Sequence, residues 1–232
     1  MKSEGVLRKT EYPEIKKEII RSTREINQYL SQQININKQN SVTVRVDKQD
    51  SIAVGIDKKV RITAEGNAGD FFGALNNGAT IVLNGDADRF AANVMNKGDI
   101  IIHGDCGEGT GMFMYGGQVI VYGNAGDHLG QISKGGTIVV TGDAGDLAGL
   151  YQTGGDIVVL NNIGKKTGEW MIKGRIFVGG NIASLGHNAE IQKLNNEDRK
   201  LLETLYSYEI EFPIDGMKKI VPKELRPFYK KR

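Results

Sequence analysis

A strict nineteen-residue period is the feature that most constrains this chain. β-Branched triplets begin at Ile62, Ile81, Ile100, Val119, Ile138, Ile157 and Ile176, always 19 residues apart and with no insertion. Four places after each start the column reads Gly66, Gly85, Gly104, Gly123, Gly142, Asn161 and Gly180. Glycine, with asparagine as its usual substitute, predicts a left-handed turn there. The next column is wholly Asn or Asp: Asn67, Asp86, Asp105, Asn124, Asp143, Asn162 and Asn181. Such side chains commonly bond their own turn backbone. Ala68, Ala87, Cys106, Ala125, Ala144, Ile163 and Ile182 follow, a mostly small apolar column suited to an inner corner. Thirteen residues past each start lie Leu75, Val94, Phe113, Ile132, Tyr151 and Trp170, expected to form a second inward stack. A glycine return closes each unit at Gly78, Gly98, Gly116-Gly117, Gly135-Gly136, Gly154-Gly155 and Gly174.

Strands of three residues cannot make a free-standing sheet. Stacked at ~4.8 Å per coil, identical columns hydrogen-bond into parallel ladders around a shared core. About seven coils would stand on the order of 30 Å tall. Leucine-rich repeats lack this pattern, ankyrin and tetratricopeptide repeats are longer and helical, and nonapeptide or hexapeptide β-helices give 18 residues per turn. The expected fold is therefore all-β, a single-stranded parallel β-helix over 61–187. Residues 1–60 are read as an N-terminal helix and short strands leading in, and 188–232 as a C-terminal helix and basic tail. The first helix is placed at 13–30, with Pro13 in its first turn and Ile15, Ile19, Ile26 and Leu30 near one face. The second opens near Asn195 or Asn196 and carries Leu201, Leu202, Leu205 and Tyr206. Both flanks are expected to cap the open ladder ends.

Charge and composition narrow the function. Residues 61–187 carry 8 basic and 12 acidic side chains, which argues against a nucleic-acid surface on the solenoid. No apolar run reaches the ~18 residues that span a bilayer. The opening MKSEGVLRKTEYPEIKKE has no apolar core, so the expected location is the cytoplasm. With 1 cysteine the chain offers no internal disulfide, cysteine-held iron–sulfur cluster or CxxC zinc site. Cys106 stands where its column neighbours are alanine and reads as structural.

The glycine strings imitate nucleotide loops. Gly107-Glu108-Gly109-Thr110-Gly111 is followed by Met112 where a dinucleotide fingerprint needs glycine, and the period leaves no room for its helix. No GxxxxGK[ST] occurs. Asp86 and Asp105 should stack on adjacent coils, as should Asp127 and Asp146, in a column shared with Asp70 and Glu108. Paired carboxylates could bind a cation or act as acid and base, as in β-helix polysaccharide enzymes, but coils without insertions build no cleft. His103, His128 and His187 show no zinc-ligand spacing. Trp170 reads as core packing.

The string G-x-x-G-x-x-x-G recurs as Gly66-Gly69-Gly73, Gly104-Gly107-Gly111, Gly123-Gly126-Gly130 and Gly142-Gly145-Gly149. With GNAGDFFG, GNAGDHLG and GDAGDLAG, followed by KGGTIVV and TGGDIVV, it resembles the GXGXG domain that closes the large subunit of glutamate synthase. The likeness spans about residues 60–190, and Asp88, Ala92 and Asn161 depart from its glycines. The chain is similar to the free-standing form found where that enzyme is split among polypeptides. The resemblance implies a right-handed β-helix and a non-catalytic scaffold, with no catalytic, cofactor-binding or metal residue of its own. It further implies glutaminase and FMN-dependent synthase partner subunits that carry the FMN and the iron–sulfur cluster. The repeat also resembles a subunit of formylmethanofuran dehydrogenase, so a scaffold of another redox assembly is the alternative, and a carbohydrate-active β-helix enzyme a third. A homo-oligomer is a further expectation; nucleic acid and membrane are not.

One column remains. First and third residues of each strand triplet should point inward and the middle one outward. Yet Val82, Ile101, Ile120, Val139, Val158 and Phe177 are all apolar. Their exposure would exceed what a soluble monomer tolerates, so the flanking helices or a partner must cover them.

Overall fold

A computed structural model describes residues 22–225 of the 232. Residues 13–21 of the expected first helix lie outside that range. Helix α1 (Thr23–Ser31) starts at a reciprocal cap in which the Ser22 hydroxyl accepts from the Glu25 N–H and the Glu25 carboxylate accepts from the Ser22 N–H. Its apolar side chains Ile26 and Leu30 are fully buried in the main core. A π-helical turn at Gln32–Ile36 follows, and then the ladder begins.

The strands are β1 (Ser41–Arg45), β2 (Arg61–Glu65), β3 (Asn77–Asn84), β4 (Lys97–Ile102), β5 (Gln118–Val121), β6 (Lys134–Val140), β7 (Thr153–Val159) and β8 (Lys173–Val178). All pair in parallel, each with the next. From β2 onward the register joins residues 19 apart, as in Ile62↔Ile81 and Ile157↔Ile176. One rung precedes these, because β1 pairs with β2 at a spacing of 20, Val42↔Ile62. A second line of parallel bridges runs Ala68↔Ala87↔Cys106↔Ala125↔Ala144↔Ile163↔Ile182, so the small column does line an inner corner. The protein is a parallel β-helix.

Within each triplet the first and third residues enter the main core, as Ile100 with Ile102 and Ile138 with Val140 do. The middle residues form a second core on the outside of the ladder. Ile120, Val139, Val158 and Phe177 are buried there beneath Leu202, Leu205, Ile210 and Met217. Helix α2 (Asn196–Thr204) and the segment after it thus supply the cover, whereas α1 packs with the main core. Val82 is buried outside this group and Ile101 is half-buried.

The tail then adds two strands the sequence did not announce. β9 (Ala189–Gln192) and β10 (Lys218–Pro222) close the top, with β10 inserted antiparallel between β8 and β9.

Two column assignments are corrected. The column Gly66–Gly180 is not a left-handed turn: φ is +110° at Gly66 and a near-extended +158° at Gly85, and the other members, with Asn161, avoid positive φ. Glycine is needed there because coils touch. A Cβ on Gly104 would lie 2.6 Å from the Gly85 carbonyl oxygen.

Left-handed backbone falls instead on glycine (Ala92 in the second coil) eleven residues into each coil, and on glycine again at the return before most strands. Non-glycine residues take it nine and thirteen residues into each coil. Phe71, Phe90, His128, Leu147 and Lys166 occupy the first, with φ of 55–62°. Leu75, Val94, Phe113, Ile132, Tyr151 and Trp170 occupy the second, with φ of 52–58°. The thirteenth column therefore points outward: Leu75 is 47% exposed and Phe113 38%. The residues one place later take the interior, where Asn76, Met95, Met114, Gln152 and Met171 are fully buried. Left-handed backbone costs a non-glycine residue about 1–2 kcal/mol. Hydrogen bonds between coils hold it, since alternate N–H groups point up and down the stack. The Phe71 N–H donates to Arg89 O at 2.8 Å, that of Gly73 to Ile52 O at 2.9 Å, and that of Leu75 to Asn93 O at 2.8 Å.

Gly109 already fills the ninth position in the third coil, at φ 73°. Lys166→Gly, at an exposed member of the same column, should therefore stabilise the fold by about 1 kcal/mol. Differential scanning calorimetry should record a rise of about 2–4 °C in Tm. An unchanged or lower Tm would contradict the strain.

Candidate functional site

The Asx column is built on the coil corner, and its side chains do not fold back on their own turns. Each carboxylate or amide oxygen accepts from the backbone N–H of its counterpart one coil on. Asp105 N–H donates to Asp86 Oδ1 at 2.9 Å, Asn124 N–H to Asp105 Oδ1 at 2.6 Å, and Asp143 N–H to Asn124 Oδ1 at 2.9 Å. Asn67 accepts from Asp86, Asp143 from Asn162, and Asn162 from Asn181 in the same way. Three residues later a second ladder repeats the device. Asp50 accepts from Asp70, Asp70 from Arg89, Asp127 from Asp146, and Asp146 from Lys165, at 2.6–2.9 Å.

This geometry accounts for the acidic stacks in structural terms. A carboxylate oxygen satisfies a corner N–H that the parallel ladder leaves open, and the charge sits in solvent. Arg89 clasps Asp70 at 2.6 Å and holds its carboxyl below the usual range. Among the described residues no group of three or more His, Cys, Asp or Glu side chains is placed to hold a metal ion.

The histidines are dispersed. His103 stacks on Tyr122 with ring centroids 5.0 Å apart. His128 Nδ1 lies 3.1 Å from Glu108 Oε1, a partner one coil below. His187 stacks on Trp170 at 5.1 Å and its Nδ1 is 2.8 Å from Glu169 Oε1. Burial raises the Glu169 pKa, but the His187 backbone N–H and ring outweigh it and hold the carboxyl below its ordinary value. Trp170 is outward-facing rather than core. Cys106 is 6% exposed, and burial pushes its thiol up to about 12, so it is not a thiolate at neutral pH. One inert thiol is the wrong donor set for an iron–sulfur cluster, which takes several thiolates.

A family comparison matches residues 9–208 to the GXGXG motif family, the region found in the glutamate synthase large subunit. The chain belongs to the GXGXG motif family. No curated protein matches it. Read as a GXGXG domain, the chain uses its named glycines and Asx residues for contact between coils. No described helix is long and apolar enough to cross a membrane.

The structure adds one feature that column reading missed. The GXGXG domain turns a row of large apolar side chains outward along its left-handed side, from Phe71 and Leu75 to Phe113 and Tyr151. Phe71 and Phe90 stack on it with centroids 5.1 Å apart, and Lys134 Nζ lies 4.3 Å from the Tyr115 ring centroid. The signal was present as an apolar column. Only the backbone sign at its members decides that the column faces out.

Proposed function

We propose that this GXGXG domain is a non-catalytic scaffold subunit of a cytoplasmic glutamate synthase-like assembly, which forms glutamate from glutamine and 2-oxoglutarate. A glutaminase chain and an FMN-dependent synthase chain are its partners, and the FMN and iron–sulfur cluster reside on them. The observation that carries this reading is the use made of the acidic and amide columns. Residues that could have done acid–base work are committed, coil after coil, to backbone N–H groups of the next coil. The family membership supports the choice of assembly.

The test is retrieval of the tagged full chain from its native cells, with co-eluting proteins identified by mass spectrometry. A glutaminase-like chain and a chain bearing FMN are expected. Retrieval of formylmethanofuran dehydrogenase components, or glycan cleavage by the isolated chain, would overturn the proposal.

A further inference from the structure

We infer that the left-handed face of the solenoid is a self-association surface, on which a second copy of this chain packs with its coil axis parallel to the first. The inference rests on surface chemistry and is independent of the glutamate synthase reading. Phe71 is 39%, Leu75 47% and Phe113 38% exposed on this one face, and Tyr115, 50% exposed, stands on its lysine border against Lys134. The described helices lie elsewhere: α1 packs with the main core and α2 covers the strand ladder. Six coils at ~4.8 Å make the face roughly 30 Å tall, and its seven-residue width spans roughly 20 Å. That is about 600 Å², close to the roughly 800 Å² each partner gives to a stable interface.

The charged borders select the occupant and its orientation. On one side run Asp88, Glu108, Asp127 and Asp146; Arg89 there is already neutralised by Asp70, and Lys165 ends the row. On the other side, just before the strands, stand exposed Lys97, Lys134 and Lys173 with no acidic residue at those two positions of any coil. A face with one acidic and one basic border can meet itself. Rotation about a two-fold axis parallel to the coil stack brings each acidic border against a lysine border. Rotation about an axis across the stack would oppose acid with acid. An isologous dimer therefore requires parallel columns.

Light scattering on the full chain after gel filtration should give twice the 25.4 kDa chain mass. Leu75→Asn with Phe113→Asn should yield a folded monomer, because asparagine accepts the φ near 58° at both sites. Lys97→Glu with Lys134→Glu should also be monomeric, as should Asp88→Lys with Asp127→Lys. Mixing the last two variants should restore dimers, since positions 97 and 134 of one copy then oppose positions 88 and 127 of the other, on the same coils, with opposite charge. A monomeric parent at tens of micromolar, a dimer that survives the asparagine pair, or no rescue on mixing would each overturn the inference. A parent that stays monomeric but binds a glutaminase or synthase chain through Phe113 would assign the face to that partner instead.

Discussion

Gly142→Val is expected to destabilise the domain by about 2–4 kcal/mol, read as a fall in Tm with no change in the fold of what remains native. Gly142 sits against the coil below, where an added Cβ would lie 2.6 Å from the Gly123 carbonyl oxygen and would also strike Asn124 Oδ1. That oxygen accepts the Asp143 N–H. Neither obstacle is the end of a flexible chain: one is backbone, and the other is fixed in the amide ladder. The coils must part or the corner must lose its bond. Gly216→Ala is the control. It lies outside the ladder, avoids positive φ and meets nothing within 4 Å, so it should change stability by less than about 0.5 kcal/mol. A Gly142→Val protein that melts with its parent would mean the coils are not in contact there.

Asp198→Ala should cost about 3–5 kcal/mol, the range for removing one partner of a buried ion pair. Its carboxylate is 1% exposed and joins three elements. Lys219 on β10 donates to Oδ2 at 2.6 Å and Arg175 on β8 donates to Oδ1 at 3.0 Å. The same group accepts the Asn195 N–H at the start of α2, at 2.8 Å. Arg175 is held from its other side by Asp156 through two bonds, at 2.6 and 2.9 Å. Burial raises the Asp198 pKa, but the Asn195 N–H, Lys219 and Arg175 outweigh it, so the carboxyl is held below its usual value. The contribution to stability is therefore fully present above the ordinary carboxylate pKa, near about 3.9, and is lost as pH falls through the lower folded value. Denaturant titrations across pH 2–7 should show the parent losing this increment in acid. Asp198→Ala should be the flatter of the two curves, and parallel curves would refute the network's role.

The period, the inward pair in each strand and the covered middle column were legible because each depends on apolar alternation against a fixed repeat. Ile120 and Val139 announced a cover, and Leu202 and Leu205 provide it. Backbone sign was not legible. Val94 and Ile132 are β-branched and poor candidates for φ near 57°, so nothing in their identity reveals that they point out while Met95 and Ser133 point in. The Asx column was recognised as corner chemistry, but whether Asp105 serves its own turn or the next coil depends on stacking distance. Strand β10 escaped because Lys218–Pro222 mixes two lysines with its apolar residues, and buried Lys219 is explained only by Asp198.

The uninterrupted repeat makes this domain a gauge of adjustable height. Excising residues 85–103 would join Asn84 to Gly104 with every column still in sequence, and would bring α1 and α2 closer by one coil, ~4.8 Å. Inserting a coil would move them apart by the same step. Whatever binds near the two ends is thus held at a separation fixed by the number of repeats. A shortened or lengthened chain measures the tolerance of an assembly to that spacing without altering the residues at either end.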